Sequence, residues 1–188
     1  LFSSTCATYG VPSVTPIEET HPQAPINPYG ASKLMVERIL NDYATAFGLR
    51  TVVLRYFNAA GASQSGVIGE RHQPETHLIP LAIRSALSQS GTLTVLGGDF
   101  DTRDGTAERD FIHVGDLADA HCRALEYLHQ GGASAAFNLG TGVGTTVNEV
   151  ITAVERVSGR PVKRAPGARR PGDPASLVAS AAKAKRVL

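Results

Sequence analysis

Apolar residues recur at helical spacing between residues 28 and 47 of this chain. The recurring positions are Leu34, Val36, Ile39, Leu40, Tyr43 and Phe47. Asn27 can accept a hydrogen bond from the first free amides of a helix, and Pro28 suits the first helical position. Gly48 is placed to end the helix. The pattern therefore predicts one long helix that begins after Asn27 and ends before Gly48.

Short apolar and β-branched runs predict buried strands before and after this helix. The predicted strands are residues 1–5, 51–56, 93–97, 109–114 and 136–140. The run 51–56 is typical of a parallel strand that is covered on both faces. Nineteen glycines and eleven prolines indicate many tight connections. Together these features predict an α/β fold.

Three further helices are predicted. One opens at residues 76–80 and runs to about Gln89, and a second is capped by Asp116. The apolar face of the second consists of Leu117, Ala120, Ala124, Leu125 and Leu128. Thr146 and Glu149 form a capping-box pattern for the third helix, which ends at Gly159. Loops are expected between residues 58 and 75, and around Arg164, Arg169, Arg170 and Asp173.

Composition narrows the class of protein. The chain has 188 residues, a hydrophobic fraction of 42% and a net charge of +1, which argues against a nucleic-acid or membrane partner. No apolar run approaches the roughly 20 residues of a membrane span, and no signal-peptide pattern occurs. Cys6 and Cys122 lie far apart and form no CxxC motif. We interpret them as reduced thiols of a cytoplasmic protein.

Tyr29 and Lys33 are four residues apart, so the predicted helix places both side chains on one face. A lysine ammonium beside a phenol favours the phenolate and makes the tyrosine a usable general base or acid. The same spacing also fits a surface lysine above a half-buried tyrosine, so the pair alone is a weak signal. Thr5 ends the first predicted strand, where open α/β sheets bind ligands; a simple Ser/Thr turn is the alternative.

Several short motifs flank this pair in a fixed order. They are Phe2–Thr5, Asn27–Lys33, Arg55–Asn58, Glu75–Pro80, Asp104–Thr106, Arg109–Ala118, Phe137–Gly140 and Arg169–Asp173. The ordered set resembles the extended short-chain dehydrogenase/reductase family, and within it the UDP-glucose 4-epimerases, over nearly the whole chain. No glycine-rich dinucleotide fingerprint joins a strand to a helix. The resemblance therefore implies a phosphate-binding turn upstream of residue 1, and both ends are expected to be cut.

The resemblance implies a partial Rossmann-like, doubly wound parallel sheet with a smaller α/β substrate-binding lobe. Residues 1–60 and 115–142 would form the C-terminal half of the NAD-binding domain. Residues 61–114 and 143–188 would form the UDP-sugar-binding lobe, incomplete at its C-terminus. It also implies a homodimer in which two long helices per subunit pack together. The apolar residues on more than one face of the 28–47 helix fit such an interface.

The implied chemistry is a hydride shuttle with NAD as cofactor and no metal. Hydride leaves sugar C4 while Tyr29 takes the 4-hydroxyl proton, and it returns to the other face of the 4-keto sugar. Thr5 would orient that hydroxyl, and Lys33 would hold the nicotinamide ribose. Phe57 aligns with a residue whose backbone touches the nicotinamide. Thr5, Tyr29, Lys33 and Phe57 are thus the predicted cofactor contacts, and the first three are the predicted catalytic residues.

The resemblance assigns the UDP-sugar contacts to a second set of residues. Asn58, His77, Leu78, Thr94, Val95, Leu96, Arg109, Arg170, Asp173 and Leu177 form this set. Arg109 and Arg170 would clamp the pyrophosphate, for which a planar guanidinium is suited. Glu108 departs from the family pattern, and pairing with Arg109 would weaken phosphate binding. Leu177 falls where the family varies in size beside the sugar N-acetyl position, so selectivity stays open.

Other readings compete with this one. A nucleotide-sugar 4,6-dehydratase needs an acidic pair after the threonine, and Cys6-Ala7 stands there instead. A 4-epimerase of a UDP-linked N-acetylhexosamine, arabinose or glucuronate fits as well. A catalytically silent NAD- or nucleotide-sugar-binding module would predict loss of the Thr/Tyr/Lys set, which is present. The isolated chain is expected to be inactive and to bind NAD poorly.

Overall fold

A computed structural model describes residues 1–88 and 91–188 of the chain. Its strands are β1 (Phe2–Thr5), β2 (Val52–Tyr56), β3 (Asn58–Ala60), β4 (Leu93–Leu96), β5 (Glu108–His113), β6 (Ala135–Leu139), β7 (Gly144–Thr146), β8 (Arg164–Gly167) and β9 (Ser176–Leu177). Its helices are α1 (Pro28–Phe47), α2 (Leu78–Leu87), α3 (Val114–His129), α4 (Val147–Ser158) and α5 (Ala182–Val187). A 3₁₀ turn, Cys6–Thr8, follows β1.

The main sheet is parallel and has the strand order β1-β2-β6. Val52, Leu54 and Phe137 are fully buried on these strands and form a core cluster with Leu117 and Ala124 of α3. Parallel strands joined by helices confirm the α/β class, and the arrangement is that of a partial Rossmann-like sheet. The carboxyl ends of β1, β2 and β6 lie at one edge, where Thr5 and Phe57 are found.

A second set of strands lies beyond this edge. β3 pairs in parallel with β5, which also pairs with β7 and β9, while β4 pairs in parallel with β8. A separate core cluster fills the space between α2, α4 and the β4–β8 pair, and its buried members are Ala82, Ala86, Leu93, Ile151 and Val162. The β3–β5 pairing crosses the predicted boundary at residue 60, so the division into two domains stays a prediction.

The long helix forms where the sequence predicts it. Asn27 Oδ1 accepts a hydrogen bond from Gly30 N at 2.8 Å, and Pro28 is the first helical residue. Gly48 ends the helix with φ of 68°, a left-handed conformation that a residue without Cβ adopts at little cost. The capping box of Thr146 and Glu149 is present, and Gly159 ends α4. These predicted helix boundaries are confirmed. Each depends on hydrogen bonds between residues that are close together in the sequence, and for that reason the sequence could predict it.

Several local predictions are wrong. Residues 58–60 form strand β3 instead of a loop, and Arg164 opens strand β8 because β4 supplies a partner for it. The N-cap of α3 is His113, whose Nδ1 accepts from Gly115 N at 3.0 Å, so Asp116 lies inside the first turn. Leu125 is 53% exposed and does not belong to the core face of α3. The predicted end of α2, Gln89, lies outside the described residues.

Every helix within residues 1–88 and 91–188 is too short or too polar to cross a bilayer.

Candidate active site

Tyr29 and Lys33 meet at the carboxyl end of β1. Lys33 Nζ donates to the Ser3 carbonyl at 3.0 Å and lies 5.8 Å from the centroid of the Tyr29 ring. Its ammonium is also 5.1 Å from the Phe2 ring. The Tyr29 ring is 55% exposed, so a ligand has access to its hydroxyl. The helix therefore holds an accessible phenol beside a fixed cation, as the spacing predicted.

Thr5 is the last residue of β1, the strand whose Ser3 carbonyl accepts from Lys33. Its hydroxyl accepts from Ala7 N at 3.2 Å and so caps the 3₁₀ turn that follows. The first turn of α1 touches the same 3₁₀ turn. A Cβ on Gly30 would lie 2.4 Å from the Ala7 carbonyl oxygen, so only glycine permits this approach. Thr5 and Tyr29 are thus held on two elements that are in direct backbone contact.

A buried polar network lies beneath the site, and the sequence reasoning missed it. Glu37, only 3% exposed, accepts from Arg55 Nη2 at 2.6 Å, from Arg55 Nε at 3.1 Å and from Ser4 Oγ. Arg55 Nη1 donates to the Tyr9 hydroxyl at 2.9 Å, and that hydroxyl donates to Asn138 Oδ1 at 2.7 Å. Burial raises the pKa of the Tyr9 phenol, so it remains a donor. The network joins α1 to all three strands of the main sheet.

A cleft of about 630 Å³ is lined by residues of β3, β4 and β5, the start of α2 and the loop that follows β8. It is lined by nine of the predicted substrate contacts, which are Asn58, His77, Leu78, Thr94, Val95, Leu96, Arg109, Arg170 and Asp173. Residues from three strands, the start of α2 and the loop after β8 converge there although they are far apart in sequence. Phe111 and Glu70 also line the cleft and were not predicted: Glu70 lies in no motif, and Phe111 lies in the Arg109–Ala118 motif but was assigned no role there.

Leu177 is placed differently. It lies on β9, is 8% exposed and pairs in register with Arg109 of β5. It belongs to a buried apolar cluster with Tyr9 and Phe57. Phe57 N donates to the Leu139 carbonyl at 3.1 Å, which fixes its backbone at the end of β2. Leu177 is therefore a buried core residue and, unlike the other nine, does not line the cleft.

The charges in the cleft are arranged around Arg109. Its Nη2 donates to Asp173 Oδ1 at 2.5 Å, and its Nη1 donates to the Glu108 carbonyl at 2.6 Å. The Glu108 carboxylate pairs instead with Arg103 and accepts from Ser176 Oγ at 2.6 Å. The side-chain pair between Glu108 and Arg109, which would weaken phosphate binding, is thus absent among the described residues. Arg109 is instead held at the cleft wall in an ion pair with Asp173.

The amino end of α2 also faces this cleft. His77 is the N-cap residue of α2, and Leu78 is the first helical residue. His77 Nδ1 lies 2.9 Å from Glu75 Oε1 and 3.2 Å from His72 Nδ1. Free amides at a helix start favour an anion, and Arg109 and Arg170 line the same space. The polar part of the cleft is therefore suited to a phosphate-bearing ligand, while its β4 wall is largely apolar.

The residues predicted to hold NAD fit one half of that cofactor. Lys33 is bound to β1 through the Ser3 carbonyl, and Tyr29 is exposed beside it. A cation and an exposed phenol beside this strand suit a ribose and a nicotinamide ring. The pyrophosphate half of a dinucleotide needs the G-x-G-x-x-G fingerprint between a strand and a helix, and the sequence of residues 1–188 contains no such motif.

Comparison with known proteins gives a consistent result. Residues 1–140 match the model of the NAD dependent epimerase/dehydratase family. A UDP-glucose 4-epimerase of Rhizobium meliloti is 58% identical over 188 residues, which is all of this chain and 57% of that protein. The structure also resembles crystal structures of UDP-glucose 4-epimerases from Brucella ovis with NAD and from Bifidobacterium longum with NAD⁺ and UDP.

The structural agreement extends over the whole chain. The Brucella ovis structure has a TM-score of 0.94 and 54% identity over 99% of this chain and 57% of its own. The Bifidobacterium longum structure has a TM-score of 0.93 and 42% identity over 100% and 56%. This chain therefore spans a little more than half the length of the relatives it matches.

Proposed function

We propose that the protein containing this chain, which belongs to the NAD dependent epimerase/dehydratase family, is a UDP-glucose 4-epimerase. It would interconvert UDP-galactose and UDP-glucose through a 4-keto intermediate. The observation that carries the proposal is the joint presence of two sites. The Tyr29–Lys33 pair is bound to β1 of the main sheet, and a cleft lined by Arg109 and Arg170 begins at Asn58, two residues after the end of β2.

The chemistry follows from these residues. Sugar C4 cannot lose hydride unless its hydroxyl loses a proton, so a base must lie within hydrogen-bond reach. Tyr29 presents an accessible phenol for this step, and Lys33 places a positive charge beside it, which favours the phenolate. NAD, when bound, supplies the hydride acceptor. Thr5 orients the sugar hydroxyl, and Tyr29 returns the proton when the alcohol re-forms.

The nucleotide end is held in the cleft. Arg109 and Arg170 neutralise the pyrophosphate, and the amino end of α2 at His77 and Leu78 adds backbone donors. Residues 94–96 of β4 supply an apolar slot for the base. Asp173 holds Arg109 at 2.5 Å and accepts from the ribose with its remaining lone pairs. Contacts at the nucleotide end thus supply binding energy that holds the sugar in place, and they do not touch C4, the reacting atom.

The test uses the full-length protein that contains this chain. Incubation with UDP-galactose should give UDP-glucose without added oxidant, because hydride is returned in each cycle. Tyr29→Phe should abolish turnover, whereas Tyr127→Phe, a phenol on α3 that donates to the Ala133 carbonyl, should not. Conversion of another UDP-sugar alone would keep the mechanism and change the substrate. NAD binding without turnover of any UDP-sugar would favour the silent module.

We propose that Leu177 limits the size of the sugar that the site accepts, and that UDP-hexoses without an N-acetyl group are preferred. The support is its position: Leu177 pairs with Arg109 across the β5–β9 ladder and packs with Phe57 in a buried apolar cluster. Leu177→Ala should then increase turnover of UDP-N-acetylglucosamine relative to UDP-glucose.

We also propose a cytoplasmic homodimer with the domain division given above. Cys6 and Cys122 are both free thiols, as a reducing compartment would keep them. Beyond Tyr29, four apolar side chains on α1 are more than half exposed, namely Met35, Ile39, Tyr43 and Phe47. Such a stripe is expected to be covered by a second copy. Light scattering of the full-length protein should give twice the monomer mass, and Ile39→Glu should return it to the monomer value.

A further inference from the structure

The buried carboxylate of Glu37 lies on the same side of α1 as the proposed catalytic pair. Tyr29, Lys33 and Glu37 are each four residues apart, so they form one stripe along the helix. Lys33 is tied to β1 through the Ser3 carbonyl, and Glu37 is tied to β1 through Ser4 Oγ. The stripe therefore faces the strand that carries Thr5.

The Glu37 side chain accepts more hydrogen bonds than the stability of α1 alone requires. Its two oxygens accept from Arg55 on β2, from Ser4 on β1 and from Gln23 Nε2 at 2.9 Å. The ion pair with Arg55 has side-chain exposures of 8% and 4%. A buried ion pair of this kind is a weak source of net stability, because desolvation offsets much of the attraction. The ion pair does fix the orientation of α1, because a rotation of the helix would separate the Glu37 carboxylate from the Arg55 guanidinium.

We propose that Glu37 is a positioning residue for the reaction, and this inference rests on the proposed function. The Glu37–Arg55 pair sets the rotation of α1 about its axis and hence the distance from Tyr29 to the sugar hydroxyl. Glu37 lies two turns beyond Tyr29, so a rotation allowed at one position is transmitted rigidly to the other. Ser4, next to Thr5, ties the strand to the same carboxylate.

The experiment compares variants of the full-length protein with UDP-galactose as substrate. Glu37→Gln should lower kcat by about 10- to 100-fold while KM changes by less than about twofold, since a displacement near 1 Å costs up to roughly 100-fold. Ser4→Ala removes a single hydrogen bond and should lower kcat several-fold in the same direction. Rates are measured well below the unfolding temperature and are normalised to the folded fraction.

A matched control separates positioning from stability. Val52→Ala removes buried volume from the same sheet, outside the network, and should lower the unfolding temperature with kcat unchanged. If Glu37→Gln and Ser4→Ala also keep the kcat of the unchanged protein, or if KM rises as much as kcat falls, the proposal is wrong. If Glu37→Gln does not fold, Ser4→Ala alone decides. No turnover by the unchanged protein would overturn the proposed function, and this inference with it.

Discussion

Gly30 offers the sharpest test of how the site is held together. A Cβ at this position would lie 2.4 Å from the Ala7 carbonyl oxygen, 2.9 Å from its carbon and 3.0 Å from Pro25 Cβ. The nearest atoms are backbone, which cannot turn aside as a flexible side chain does. Gly30→Ala must therefore push the start of α1 away from the 3₁₀ turn by about 0.6 to 1 Å, until ordinary contact distances are restored.

Two opposing terms set the change in stability. Alanine is favoured over glycine in a helix by up to about 1 kcal/mol, whereas overpacking of this kind costs about 1–3 kcal/mol. We expect a net loss of about 1 kcal/mol, or a fall of about 1–2 °C in Tm for the full-length protein, whose relatives are nearly twice as long as this chain. The effect on activity should be larger. The displaced residue adjoins Tyr29, so a shift approaching 1 Å should lower kcat by about 10- to 100-fold.

The assay is turnover of UDP-galactose by the full-length protein, with Tm measured on the same samples. Gly98→Ala is the control, because a Cβ there meets no atom within 4 Å and the backbone does not need glycine. It should leave both quantities unchanged. Wild-type kcat for Gly30→Ala would refute the reasoning, since it would mean that the gap between α1 and the 3₁₀ turn does not set the reacting distance.

Three further outcomes follow from local geometry. Thr146→Ala should lower the free energy of unfolding by about 1–2 kcal/mol in urea titrations because the capping box of α4 is lost, and Thr146→Ser should restore most of it. Hydrogen bonds from Arg103 lower the pKa of Glu149 from 4.5 to about 2, so its contribution to stability is complete above about pH 4.5 and is lost as pH falls towards 2. Glu149→Gln should flatten stability against pH in that window, and an unchanged slope would contradict the assignment. Burial raises the pKa of the Cys6 thiol to about 11, so DTNB should titrate only the exposed Cys122 in the native protein and both thiols in urea.

The sequence allowed the parts of the fold that depend on local signals to be predicted. Helix α1 and the capping box at Thr146 were both correct because a cap, a periodic apolar face and a terminal glycine lie within a few residues of each other. Strands β3 and β8 were missed for the opposite reason. They have three and four residues, and their pairing with β5 and β4 is decided by segments about 50 and 70 residues away.

The site divides in the same way. The cleft residues were found through short motifs, whose order along the chain identifies the family. Glu37 was missed because a glutamate in a helix usually faces water, and nothing near it in sequence reveals that Arg55 will cover it. Its one signal was the four-residue spacing from Lys33. His113 was missed as the cap of α3 because a histidine cap is less common than the aspartate that follows three residues later.

The network beneath the site also determines when the site can form. The Tyr9 hydroxyl and Asn138 are 129 residues apart in the chain, and the Asn138 side chain also donates to the Ile17 carbonyl, 121 residues away. Contacts between such distant segments require the loss of much loop entropy before they return any energy, so they form late in folding. On a ribosome, β1 and α1 are made long before β6 emerges. We therefore expect Tyr9 and its neighbours to stay hydrated until β6 joins the sheet, so that the nascent chain acquires an accurate site only after most of it has been synthesised.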